Sequence, residues 1–462
     1  MLRWISKVAI VTATIAAIYI YFYKSTEVPA GYYVDSNSIA LNAQCLSLLG
    51  TDEYGASYPL LIKSFGDYKP PLYTYAASLL FELFPPDVFT LRIFSMIMGL
   101  LAIAISLLFL RINFHSRENL NHGFYYLIFF VLFLFSPWVF ATQRIPYEVT
   151  LTFFFLSILF SATFYVLKDP SNLVAGVIMG VSVGLLPHTY HSTKFSYLVH
   201  FPFLIISVLP SGKAQFFNLV TSRGFWVGLL ICAVLSTPLA LELLTEGNSL
   251  ARFNVLGGRA SISEFINAYF THLNPEFLFF SGDTEIRHHS QYRGMLNLFF
   301  LPLLCCGVLF GVRKVISSRN SFLMYAICMF FLSFVPPSIK IESIPHALRA
   351  NTALFPILFF SFYGMVEIIS LLKAYLKHYP AIIFVLIAAW SLFGIRESKR
   401  SVTFYFTTFA HYNSFFWTYI KPDPAWDRDD NKVTPLDHSF GTVNERYYRL
   451  LKRNDLSYCN DQ

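Results

Sequence analysis

Apolar residues in this chain gather in long blocks separated by short polar breaks. Runs long enough to cross about 30 Å of hydrocarbon lie near 7–23, 91–110, 123–142, 149–167, 171–188, 195–210, 225–244, 295–312, 321–338, 350–371 and 380–396. That pattern predicts an all-α, polytopic membrane protein with about eleven transmembrane helices. Two further stretches have helical patterning without a span's character. In "VDSNSIALNAQCLSLLG", Asp35 or Ser36 stands as a cap, Ile39, Leu41, Leu46 and Leu49 supply apolar surface, and Gly50 is a stop signal. Residues 72–84 repeat Tyr, Leu and Phe at helical spacing, carry Glu82 and are too short to span. Both are expected as interfacial helices in the first long outer loop.

Charge orients the thread. Arg3 and Lys7 precede the first run, which ends in Tyr-Phe-Tyr where a signal peptidase would need small residues, so an uncleaved anchor with its amino terminus inside is expected. The connections "RINFHSREN", "KDPSN", "SGKAQFFNLVTSR", "RKVISSRN" and "KAYLKHYP" then fall inside, short and mostly basic. The outer side receives 24–90, 244–294, 339–349 and a polar tail from 397.

Composition removes the alternatives. With 55% apolar and only 13% charged residues in 462, the chain lacks the polar surface to cover a soluble globule. A net charge of +7 is spread along the sequence in the manner of cytoplasmic loops, and no nucleic-acid partner is expected. Cys232, Cys305, Cys306 and Cys328 lie in apolar runs, where a thiol behaves as a small hydrophobe. Cys45 and Cys459 fall outside those runs; sequence does not fix a pairing, and none is assigned.

The chemistry concentrates on the expected outer loops. Asp35 sits at the start of a predicted interfacial helix, while the cations Lys69, Arg144, Lys194, Arg252 and Arg349 occupy loops where the positive-inside bias disfavours them. An anion that would hold them at that depth is a lipid-linked phosphate, which Arg and Lys clamp through charge-assisted hydrogen bonds. Expelling a phosphate from a sugar places negative charge on the leaving oxygen, which the cations stabilise, and the acceptor must lose a proton to a positioned carboxylate. One acid facing several cations fits glycosyl transfer from a polyprenyl phosphate. Plainer roles compete at each position: Asp35 as a helix cap, Lys69 before Pro-Pro as a snorkelling lysine, and Arg144 paired with Glu148 in "QRIPYE". "HTYH", with His188 and His191, and "RHHS", with His288 and His289, lack acidic or thiol ligands at recognisable spacing, so no metal is assigned.

Taken in order, "DSNSIALNAQCLSLLGTDEYG", "SFGDYKPPLYTY", "LRIFS", "SPWVFATQRIPYE", "HTYHSTKF", "LARF", "NPEFLFFSGD" and "IPHALR" resemble the GT-C membrane glycosyltransferases. The likeness is to the protein O-mannosyltransferase and aminoarabinose-transferase branch, and within it to the bacterial phospholipid-carrier-dependent glycosyltransferases. It runs from about residue 31 to 371. The resemblance implies a GT-C fold over 1–396 and a short extracytoplasmic tail over 397–462. It implies Asp35 as the base and Lys69 near the lipid phosphate, with Arg349, Arg252, Tyr68 and His346 on the donor side. Tyr73 is a further aromatic for the sugar or lipid site, and Arg144, Glu148, His188, His191, Lys194 and Asp283 are candidates for an acceptor or sugar pocket. Where the family has a second acid after its Asp, this chain has Ser36.

The activity so implied is inverting transfer of a sugar from a polyprenyl-phosphate donor to a lipid, glycan or protein acceptor, at the periplasmic face of a bacterial plasma membrane and without a cofactor. A transporter or flippase of lipid-linked sugars, or a non-catalytic relative, is the rival reading. Transporters often show internal symmetry, and no repeat is visible here.

Overall fold

Each of the eleven apolar runs contains a helix in the computed structural model, which describes residues 2–29, 32–64, 67–114, 122–245, 260–285, 288, 293–340, 343–409 and 417–418. The first half of the chain forms α1 (Leu2–Phe22), α2 (Val34–Leu49), α3 (Leu72–Phe81), α4 (Val88–Asn113), α5 (His122–Leu134) and α6 (Pro137–Thr142). Next come α7 (Thr150–Lys168), α8 (Leu173–Leu185), α9 (Thr193–Val208), α10 (Lys213–Val220) and α11 (Arg223–Thr245). The remainder forms α12 (Ile262–Leu273), α13 (Phe300–Ser318), α14 (Ser321–Leu332), α15 (Val335–Ser338), α16 (Leu354–Tyr375) and α17 (Pro380–Phe404). Eight helices among the described residues are long and apolar enough to cross a membrane. The other three forecast spans lie in shorter apolar helices, at Ile10–Phe22, Tyr125–Leu134 and Leu173–His188. The chain is a multi-pass membrane protein.

Two expected boundaries move, each for a local reason. The run at 123–142 is broken because Pro137 cannot donate a backbone hydrogen bond inside a helix; it opens α6 instead, and the Trp138 amide donates to Met295 O at 2.8 Å. The last helix does not stop at 396. It continues to Phe404 and through a wide turn to Phe409, so the polar tail begins later than its charges suggest.

Small residues set the closest helix contacts. Gly176 and Gly180 of α8 face Gly224 and Gly228 of α11, and a Cβ at Gly180 would stand 2.3 Å from Gly228 O. Gly307 of α13 and Gly364 of α16 meet in the same way. In lipid such backbone approach replaces the hydrophobic driving force that water would supply.

The first long loop is a small structured layer. Its helix α3 is two-faced, with Tyr73, Thr74, Ala77 and Ser78 buried and Leu79 exposed, as an interfacial helix should be. Helix α2 is more enclosed: Ser36 through Leu46 are buried continuously, and only its last turn, with Leu48 and Leu49, is exposed. Ile39, Ala40, Leu41 and Ala43 pack with Tyr73 and Ala77 of α3, Leu91 of α4 and Leu151 of α7. Its polar residues are matched by the loop that follows. Asn42 donates to Glu53 and accepts from the Glu53 amide, both at 3.0 Å, and the Ser38 hydroxyl contacts that of Ser64. Those bonds satisfy polar groups that burial would otherwise leave costly. Strands β1 (Tyr32–Tyr33), β2 (Ile62–Ser64) and β3 (Asp67–Lys69) complete the layer, with β2 antiparallel to β3 so that Ile62 faces Lys69. Cys45 is disulfide-bonded, where the sequence alone assigned no pairing; Cys459, the other cysteine outside the apolar runs, lies outside the described residues. A fourth strand, β4 (Trp417–Thr418), pairs antiparallel with β1 and returns the C-terminal segment to the entrance of α2.

Candidate functional site

Asp35 lies in the first turn of α2, where the helix dipole favours a negative charge. Lys69 ends β3, and Pro70 and Pro71 follow it directly, so the hairpin and the diproline deliver its ammonium to a fixed place. The two side chains form an ion pair, with Lys69 Nζ donating to Asp35 Oδ1. The other carboxylate oxygen, Oδ2, accepts from the Tyr147 hydroxyl at 2.9 Å. The Lys69 side chain is 6% exposed and that of Asp35 is 18% exposed, so the pair is sheltered with an opening on the carboxylate side.

Tyr147 is the residue that sequence reasoning missed. It stands inside the quoted "QRIPYE", between the two ionisable residues that drew attention, and its phenol is what reaches the acid. The backbone around it is tied to α2 as well, because Ser36 Oγ donates to Pro146 O at 2.7 Å. Ser36 is fully buried and joins the two loops.

Three further loops converge at this end of the bundle. Ile145, Tyr147, Val149, Tyr190 and Leu348 form one apolar cluster, so the segment before α7, the α8–α9 turn and the segment carrying Arg349 share a core. Asn351 Nδ2 donates to Val149 O at 2.9 Å and fixes their register. Arg349 opens a 3-10 turn, half-buried, one residue beyond Leu348. Tyr68 is half-buried beside Lys69 in β3. Glu148 is buried, close enough to Tyr73 to disfavour its phenolate. His191, on the turn that carries Tyr190, and Lys194, in the first turn of α9, are half-buried, and the Tyr190 ring lies 6.2 Å from that of Tyr147. Arg252 lies outside the described residues.

Some expected roles change. Arg144 pairs neither with Glu148 nor with the base: its guanidinium donates to the carbonyls of Tyr21, Tyr23 and Val28 and sits against the rings of Phe140, Tyr405 and Phe406. Arg92 donates to Ser25 O and Pro29 O. Two buried arginines therefore pin the segment that links α1 to α2. Tyr73 is wholly buried, bonded to Leu91 O at 3.1 Å and Ser95 Oγ at 2.6 Å, and packs in the core shared by α2, α3 and α4. His188 contacts Leu235 O at 3.0 Å and is not gathered with His191 into a metal-binding group.

Asp283, His288 and His346 do gather. All three are buried, and their donor atoms lie within 4.8 Å of one another. Beside them His272 donates to Ala268 O and accepts from the His346 amide at 3.0 Å. Burial pushes the His272 imidazole down to about 4, against an opposing pull from Asp283 and with Arg349 adding to the depression. It is neutral at neutral pH, as an acceptor of that amide must be.

No protein-family model and no curated protein matches the chain. Its fold has solved counterparts. The chain is similar over 92% of its length to the archaeal oligosaccharyltransferase AglB from Archaeoglobus fulgidus in complex with an inhibitory peptide and a dolichol-phosphate, with 12% identity and a TM-score of 0.51, matching 57% of that chain. An Archaeoglobus fulgidus oligosaccharyltransferase tethered to an acceptor peptide containing the NVT sequon gives 13% identity and a TM-score of 0.52, over 95% of this chain and 59% of that one. For ArnT from Cupriavidus metallidurans in the apo state the values are 14%, 0.49, 95% and 78%. The fold is thus that of the GT-C membrane glycosyltransferases, and the chain spans less than two thirds of the archaeal enzyme's length.

Proposed function

We propose that this protein is an inverting glycosyltransferase that moves a sugar from a polyprenyl-phosphate donor to a lipid, glycan or protein acceptor at the extracytoplasmic face of the membrane. The observation that carries the reading is the contact of Asp35 with Lys69 and Tyr147 in a sheltered site. The GT-C fold agrees with it.

In the step we infer, the acceptor oxygen or nitrogen attacks the anomeric carbon while its proton passes to the Asp35 carboxylate. The bond from that carbon to the phosphate oxygen breaks, and the polyprenyl phosphate leaves with the electron pair. Lys69 and Arg349 stabilise the charge that grows on the departing group. Without donor, Asp35 is the counter-ion of Lys69; an arriving phosphate draws the ammonium away and frees Oδ1 to take a proton. Tyr147 keeps the carboxylate oriented meanwhile. Tyr68 and His346 belong to the donor side. Glu148, His191 and Lys194 surround the approach of the acceptor.

The decisive experiment supplies the protein in lipid nanodiscs with a panel of radiolabelled polyprenyl-phosphate sugars and membrane extract. Transfer by the wild type and none by Asp35→Asn, with donor binding retained, supports the reading. Movement of lipid-linked sugar across the bilayer by both proteins, with no transfer, would identify a transporter instead.

A further inference from the structure

The loops after α12 and before α16 bring together a group that the transfer step leaves only partly used. Asp283, His288 and His346 are 4%, 3% and 6% exposed, and each offers one ligand atom, the three lying within 4.8 Å of one another. Two imidazoles and a carboxylate form a mixed nitrogen and oxygen set, the kind that Zn²⁺ takes in preference to the hard, oxygen-loving Ca²⁺ and Mg²⁺. Tetrahedral zinc with bonds of about 2.0–2.1 Å holds neighbouring donors roughly 3.4 Å apart. Asp283 Oδ2 and His288 Nδ1 already stand 3.1 Å apart, and the His288 and His346 rings have centroids 4.7 Å apart.

The carboxylate is also held as a ligand needs to be held. Asp283 Oδ2 accepts from the Ala347 amide at 2.6 Å and Oδ1 from the Glu285 amide at 2.8 Å. Outer hydrogen bonds of this kind orient a ligand and fix which lone pairs face the ion. The spacing Asp-x4-His in one loop and a single His in another explains why neither stretch reads as a metal motif by itself.

The geometry points to a zinc site formed by Asp283, His288 and His346, with three protein ligands and one open position, that clamps Asp283 and His288 to the segment carrying Arg349. His346 lies three residues before Arg349, so the ion sets where that guanidinium can reach. The site stands on its own geometry and does not depend on the transfer reaction.

Metal analysis of protein purified without added metal tests it. About one zinc per chain is expected in the wild type and in Asp35→Asn, falling to background in Asp283→Asn and His288→Ala, while His288→Cys, which keeps a zinc ligand, retains it. Chelation should lower the melting temperature of the wild type and one equivalent of zinc should restore it. Zinc-edge absorption on the wild type, which needs no variant to fold, should show imidazole and oxygen ligands. Wild-type protein that neither carries zinc nor takes it up overturns the site. Sulfur in the coordination shell, or full zinc content in the folded Asp283→Asn and His288→Ala variants, would do the same.

Discussion

The Tyr147 hydroxyl donates to Asp35 Oδ2 at 2.9 Å while Lys69 holds the opposite oxygen. A carboxylate bonded on both oxygens is fixed in direction, and a base must be fixed if it is to meet one proton in one transition state. Asp35→Asn keeps the shape and removes the proton acceptor, so turnover should fall about 10²–10⁴-fold. Tyr147→Phe removes only the orienting bond. Its kcat should drop by roughly tenfold, the worth of about 1.4 kcal/mol, with donor affinity little changed; a fall confined to KM would show that Tyr147 serves binding instead.

Lys69 is buried and its charge is balanced by Asp35. Deleting one member of a sheltered pair leaves the other charge stranded, at a cost of about 3–5 kcal/mol in buried cases. Lys69→Ala should therefore lower the melting temperature as well as weaken donor binding. The double variant Lys69→Met with Asp35→Asn removes both charges and should recover the stability without the activity. Scanning fluorimetry beside a donor-binding assay separates the two effects.

Ser36, where the sequence resemblance leads one to expect a second acid, spends its hydroxyl on Pro146 O. Ser36→Ala should cost about 1 kcal/mol and leave most of the turnover. Restoring an acid with Ser36→Glu would press a carboxylate against a carbonyl oxygen in a buried place beside Asp35. Loss of both melting temperature and activity is expected, measured on detergent-purified protein. A gain in turnover would show that the missing acid has only an empty place to fill.

Much of this was legible in advance because membrane crossing imposes a coarse and repetitive pattern. The eleven apolar runs all contain helices, and the odd placement of Asp35 and Lys69 pointed to two groups that do touch. What escaped depended on contacts between distant segments. Arg144 looked like a site cation because its charge is visible in sequence, whereas the carbonyls that absorb it, at Tyr21, Tyr23 and Val28, carry no side-chain signal. Tyr147 is one aromatic among many until its hydroxyl is seen at Asp35. The gathering of Asp283 and His288 with His346 needed the fold, since the donors come from two loops.

Arg144 and Arg92 together tether the chain between α1 and α2 through five backbone carbonyls. Lysine cannot reproduce that fork, because its single ammonium lacks the planar spread of donors. Arg144→Lys should loosen residues 21–28 and with them the entrance to the Asp35 helix. Faster protease cleavage near Lys24, together with a lowered kcat, is the expected outcome. Unaltered cleavage would mean that Arg92 suffices.

Helices α8 and α11 approach so closely that only hydrogen fits at Gly180, where an added Cβ would meet Gly228 O at 2.3 Å and Gly228 Cα at 2.8 Å. Backbone atoms cannot swing aside as a side-chain tip can, so the pair must separate to admit any larger residue. The His188 turn that leads on to Tyr190 caps α8, and Tyr190 packs with Tyr147. Gly180→Val should therefore cost about 1–3 kcal/mol, read as a lower melting temperature, and should reduce turnover through the displaced turn although residue 180 touches none of the charged groups. Gly180→Ala should show the same signs in smaller measure. A valine variant that melts and turns over like the parent would mean that the α8–α11 contact is looser than these distances require.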